Sequence, residues 1–159
     1  MNKYKEHVHI IPEDDANRQI ANGFVAHHQV KDPPVKVMPP AGGWGEVKDT
    51  LENEYVSTLQ SNPWAHVVLL IDFDGNTDHR RHLFEEVTPE GIKPRVFLLG
   101  SRNDPETLRQ SLRMTFSQIG LALANECADG TTTFWHHEQL AHNDADRERL
   151  IATVRPFLF

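Results

Sequence analysis

The chain of 159 residues holds one cysteine, Cys127. That excludes an internal disulfide and any thiolate-rich metal centre. It also suits a reducing compartment, so a cytoplasmic location is expected. Long hydrophobic runs are missing too. The longest apolar stretch, about Val67 to Ile71, falls far short of the roughly 20 residues a membrane-crossing helix needs. Met1-Asn2-Lys3-Tyr4-Lys5-Glu6-His7 is charged and leads toward a strand, so no export-signal core is expected there. Positive charge is scarce: 16 Lys and Arg stand against 23 Asp and Glu, a formal net charge of -7. Such a composition carries no overall basic footprint for nucleic acid. If the protein acts on DNA or RNA, bound metal ions or a partner subunit must supply the positive charge. Hydrophobic residues reach only 38% and the mean hydropathy is -0.53, which confines the core to a few runs. No internal repeat or low-complexity segment is present. The length fits one domain over residues 1–159, with a core over about 5–128 and a C-terminal extension over about 129–159.

The most informative segment that is present is His66-Val67-Val68-Leu69-Leu70-Ile71-Asp72-Phe73-Asp74-Gly75. An apolar run rich in branched residues reads as a strand buried on both faces, the kind found inside a parallel sheet. Its end carries two aspartates two positions apart, whose side chains strand alternation would point the same way. Two carboxylates held side by side need a cation, a proton or a hydrogen-bond cage between them; Asp and Gly at a strand end also suit a simple turn.

Around that strand the pattern alternates. His7 to Pro12 reads as a first strand, and Glu13-Asp14-Asp15 opens a helix through about His28, where acids suit the helix dipole. Val35 to Met38 is a short second strand, followed by the breaker-rich loop Pro39 to Gly45 and a helix over about Glu46–Leu59 with Val47, Leu51, Tyr55 and Leu59 on one side. Asp78 to Glu86 reads as a short helix or a mobile loop, and Arg95 to Gly100 as the fourth strand. Asp104 and Pro105 are N-cap and first residue of a helix whose periodicity runs, with room for a break, through Leu112, Phe116, Ile119, Leu123 and Cys127. A last helix covers about Asn143–Val154. The expected fold is α/β, a parallel or mostly parallel sheet of about four strands flanked by helices, with a helical C-terminal tail.

In a parallel sheet both acid-bearing strand ends open on one rim, so Glu13 can meet Asp72 and Asp74 there. Carboxylate oxygens suit a hard divalent ion, which can position water or a phosphate oxygen and neutralise charge during phosphodiester cleavage. A glutamate after the first strand and Asp-x-Asp after the third resembles the Toprim family of topoisomerases, DnaG-type primases and OLD-type nucleases, over roughly residues 5–112. The resemblance implies a Mg2+ (or Mn2+) site, with Glu13 as ligand or general base and Asp72 and Asp74 as ligands; Glu106 matches the place of a further acidic ligand in OLD-like members. It implies metal-dependent nuclease activity as the small subunit of a larger assembly, with an ATPase partner and a phage-defence setting. The family commonly has glycine where this chain has Asp14, and its basic catalytic residue has only Lys93 and Arg102 as counterparts. A catalytically silent Toprim-like module for protein assembly or homo-oligomerisation is the alternative.

A further resemblance uses the same aspartates differently. Asp72-Phe73-Asp74-Gly75 is similar to the first motif of haloacid-dehalogenase-like phosphatases, which would make Asp72 a nucleophile, Asp74 an acid/base and Ser101 a phosphate ligand. That family expects threonine where Asn76 stands.

The remaining candidates are weaker. The ten histidines, including His136-His137 and His142, lack paired zinc-ligand spacing and read as structural or surface groups. Gly42-Gly43-Trp44-Gly45 reads as a turn, with an anion-cradling loop as the alternative. Arg80 and Arg81, with Arg102, are the candidate substrate-binding cations, set against a plain solvated surface. Phe157 and Phe159 are expected to dock on the domain's own core.

Overall fold

A computed structural model describes residues 2–159 of the chain. The four strands are β1 (His7–Pro12), β2 (Val35–Val37), β3 (Ala65–Leu70) and β4 (Val96–Leu99). They form one all-parallel sheet in the order β2-β1-β3-β4, as the alternating pattern predicts. Alternation sorts β3 between two apolar layers: Val67, Leu69 and Ile71 face one, and Val68 faces the other with Leu70 packed against it. β4 does the same, with Phe97 and Leu99 on the Val68 side and Leu98 opposite. Burial on both faces is what a near-continuous branched run provides.

Helix α1 (Asp15–Val25) begins two residues later than the acidic run suggested, because Glu13 sits in the bend after β1 and Asp14 is the extended N-cap. Opposite it on the sheet, α2 (Trp44–Thr50) and α3 (Val56–Ser61) form one helical run joined by a π-helical turn, Leu51–Tyr55. Its apolar residues repeat every four positions, wider than the 3.6-residue turn. The wider π turn brings Val47, Leu51 and Leu59 back to one buried stripe. Thr77–Glu86 is helix α4. The periodicity after β4 divides into α5 (Pro105–Leu112) and α6 (Phe116–Asp129). The break falls where Arg113 adopts a left-handed φ of 55° and Thr115 starts a capping box with Gln118. α1 and α6 pack closely because a Cβ on Gly120 would overlap the Ile20 carbonyl, and one on Gly23 the Ser117 carbonyl.

The C-terminal extension closes the sheet. Helix α7 (Asp144–Thr153) lies along β4, an edge strand whose free backbone groups would otherwise invite pairing. Asp146 accepts from the Leu98 amide at 3.0 Å, Arg81 donates to the Leu98 carbonyl at 3.2 Å, and Arg149 donates to the Val96 carbonyl at 2.9 Å. The last helix, α8 (Arg155–Leu158), docks on the domain's own core: Phe159 meets Phe24 edge-on and Phe157 packs on His66. Among the described residues, no helix is long and apolar enough to cross a membrane.

Candidate metal centre

The order β2-β1-β3-β4 makes β1 and β3 neighbours whose crossovers leave in opposite directions, and ligand sites in parallel sheets collect beyond the carboxyl ends of such a pair. Glu13 follows β1 and Asp72 follows β3 by two residues. The Asp72 amide donates to Glu13 Oε2 at 2.8 Å, which locks the two strand ends together. Asp14 caps α1, accepting from the Asn17 amide N–H at 2.9 Å. Asn17 Nδ2 then bridges the acids, donating to Asp14 Oδ1 at 3.0 Å and to Asp72 Oδ1 at 2.7 Å. Carboxylate oxygens of Glu13, Asp14 and Asp72 all lie within 4.8 Å of one another. Among the described residues this is the one group of three His, Cys, Asp or Glu side chains near enough to share an ion.

The surroundings make the charge of this cluster unfavourable by itself. Desolvation pushes the Asp72 carboxyl up to about 8, opposed by the Asn17 hydrogen bond and reinforced by the nearby Glu13 and Asp14 charges. Desolvation likewise raises Glu13, although the Asp72 amide it accepts from favours its ionised form. At neutral pH the group therefore shares a proton or takes a cation. Three carboxylates offer only oxygen donors, the set a hard divalent ion prefers, so these residues can hold a metal ion.

Of the expected site residues, the fold brings Glu13 and Asp72 together and places Asp74 elsewhere. Alternation was to align Asp74 with Asp72, but Asp74 has φ 50° and Gly75 φ 77°. These left-handed residues turn the chain, and Asp74 Oδ2 pairs at 3.2 Å with Arg80, its side chain 54% exposed. Asp14 takes the third position in the cluster. Glu106 lies outside it, in the first turn of α5, paired with Arg109 at 2.8 Å.

The expected substrate-binding arginines divide in the same way. Arg80 is buried; it donates to the Asp72 carbonyl at 2.8 Å and stacks on Trp44 at 4.1 Å. Arg81 points to Asp146 at 2.9 Å and lies over Phe73. Arg80 ties the β3–α4 loop and Arg81 ties α4 to Leu98, His142 and Asp146, so neither forms a solvated cationic surface. Arg102 is exposed on the loop after β4, and Lys93 pairs with Glu90 at 2.7 Å. Ser101 is buried beside β4's end. The Gly42 amide donates to the Glu13 carbonyl at 2.9 Å, so this part of the glycine loop braces Glu13. His136 pairs with Asp144, His137 bonds Ser111, and His142 sits edge-on against Phe73.

Asn17 joins the site without being among the residues expected there. Its signal was present: Asp14 followed three residues later by Asn17 is an N-cap pattern that sets both side chains on the first turn of α1. Compared with protein-family models, curated proteins and solved structures, the chain matches none.

Proposed function

We propose that the chain is a Mg2+- or Mn2+-dependent phosphodiesterase of the Toprim type, cleaving nucleic acid as the small subunit of a larger assembly. The observation that carries this reading is the convergence of Glu13, Asp14 and Asp72 where β1 and β3 diverge. A divalent ion held there would polarise a phosphoryl oxygen and ease deprotonation of water. Asn17 keeps Asp14 and Asp72 oriented, and the Asp72 amide fixes one oxygen of Glu13. The second Glu13 oxygen, on a carboxyl whose proton affinity burial raises, would accept a proton from attacking water. Arg102, exposed on the next strand's loop, supplies a cation for a phosphate backbone. The partner subunit and the phage-defence setting are supported by the family resemblance alone.

Calorimetry with Mn2+ and cleavage of labelled single- and double-stranded DNA test the reading together. Asp72→Ala and Glu13→Gln should each weaken Mn2+ binding at least about 10-fold, as loss of a ligand or of its support does, and abolish cleavage. Asp74→Ala should leave Mn2+ affinity within a few-fold. Unchanged affinity in Asp72→Ala removes the proposal.

A second reading, a catalytically silent assembly module, is favoured by the inward engagement of Arg80 with Asp72 and Asp74 and of Arg81 with Leu98, His142 and Asp146. Light scattering that finds a stable oligomer of a protein without cleavage activity selects it; a monomer that cuts DNA excludes it.

A further inference from the structure

His142 has both ring nitrogens shielded from solvent and bonded to nothing. Among the described residues, no other buried side-chain nitrogen or oxygen lacks a hydrogen-bond partner. Such atoms are rare in a folded chain, because each gives up its bonds to water without replacement. The ring stands edge-on against the fully buried Phe73, with centroids 4.9 Å apart. Arg81 lies over Phe73 at 5.1 Å and donates to the His142 carbonyl at 3.2 Å.

These surroundings suit an uncharged ring and oppose a charged one. The charges that bear on it are those of Arg81 on α4 and Arg102 on the loop after β4, both cations. The Gly100 backbone favours the charged ring without bonding it, and its carbonyl already accepts from Asn143 at 3.0 Å. Asp144 and Asp146, the next acids along the chain, are engaged elsewhere: Asp144 by His136 and Arg147, Asp146 by Arg81 and Arg149. Desolvation first, and the Arg81 charge after it, push the imidazole down to about 4.

His142 belongs to a segment, residues 139–143, that clamps the loop after β4. The Gln139 carbonyl accepts from the Arg102 amide at 2.7 Å, and its side chain exchanges two bonds with Asn103, at 2.9 and 2.7 Å. Asn143 exchanges two with the Gly100 backbone, at 3.1 and 3.0 Å. The clamped loop in turn accepts from the amides of Phe73, Asp74 and Gly75, the residues directly after Asp72. We propose that His142 is the acid-sensitive pin of a latch formed by residues 139–143. Neutral, the ring packs on Phe73 and keeps the segment on the loop; protonated, it leaves Phe73 for water and the segment opens with it.

An imidazole released to solvent takes its proton near the ordinary 6.5, whereas the docked ring takes one only near 4. Above pH 6.5 both forms are neutral and the latch is most stable. As the pH falls below 6.5 the open form gains a proton that the closed form refuses, which favours opening about 10-fold at pH 5.5 relative to pH 7.5. Native-state hydrogen exchange at these two pH values, corrected for intrinsic rates, reads the latch at the Gly100, Arg102 and Asn103 amides, since each donates to the segment. Their protection should be lower than that of Val68 and Leu69 inside β3, and should fall about 10-fold at the lower pH. In His142→Leu, where an apolar side chain replaces the unbonded ring, this fall should vanish; His142→Phe repeats the test if the leucine variant does not fold. The imidazole itself, followed by NMR, should stay neutral at pH 5.5. A ring that titrates near 6.5, protection at the three amides equal to that of Val68 and Leu69, or an unaltered fall in the His142 variants overturns the proposal.

Discussion

At the scale of single residues, Asp72 is where the fold holds a carboxyl against its preference. Its ordinary value of 3.8 is pushed up to about 8, first by desolvation and then by the Glu13 and Asp14 charges. The folded, metal-free protein therefore holds a proton that the unfolded chain releases above about pH 4. The stability tied to that proton is fully present below pH 4 and is lost as the pH climbs toward 8. Thermal melts of metal-free protein should fall between pH 5 and pH 8.5, and Asp72→Asn should flatten the trend and raise the melting temperature at pH 8. Equal slopes in both proteins would contradict this account of the site. Asn17 belongs to the same scale: Asn17→Ala removes the amide shared by two acids and should lower Mn2+ affinity by about 10- to 100-fold, the usual effect of losing a group that orients metal ligands. An affinity within twofold would show that the acids need no such support.

At the scale of elements, the decisive features are places where regular structure is interrupted. The left-handed turn at Asp74 and Gly75 removes Asp74 from the face that alternation assigns it. The π turn between α2 and α3 accommodates an apolar period of four. Arg113 ends α5 in a left-handed conformation, with its amide bonded to the Arg109 carbonyl. A glycine adopts that conformation without the Cβ penalty. Arg113→Gly should therefore stabilise the protein by about 0.5–1 kcal/mol in chemical denaturation, with no effect on metal binding. Destabilisation would mean that the Arg113 side chain contributes packing that outweighs the backbone gain.

At the scale of the whole molecule, the last 30 residues complete the sheet. α7 satisfies the free edge of β4 through Asp146 and Arg149, joined by Arg81 from α4, and α8 covers the apolar layer beneath α1 with Leu158 buried. Deleting Arg155 to Phe159 uncovers Leu158's site and those of two phenylalanines, and also removes the Leu158 carbonyl that accepts from Lys31. At about 1.5–3 kcal/mol for each fully buried large side chain, the loss should be several kcal/mol in urea unfolding, with self-association through the exposed layer on gel filtration. A truncated chain as stable and as monomeric as the parent would show that this tail is dispensable.

Much of this was legible in the order of residues. A branched run ending in acid, flanked by helical patterns, is enough to specify a parallel sheet and to put Glu13 and Asp72 on one rim, because period and burial are local consequences of composition. The cap at Asp104 announces its helix for the same reason. What only the tertiary structure decided is which groups meet. Asp74 turns to Arg80 and Asp14 takes its place because backbone conformation at one residue, set by the surrounding loop, overrides alternation. Arg80 and Arg81 look like surface cations in the chain, yet their partners are carbonyls and acids brought by distant segments.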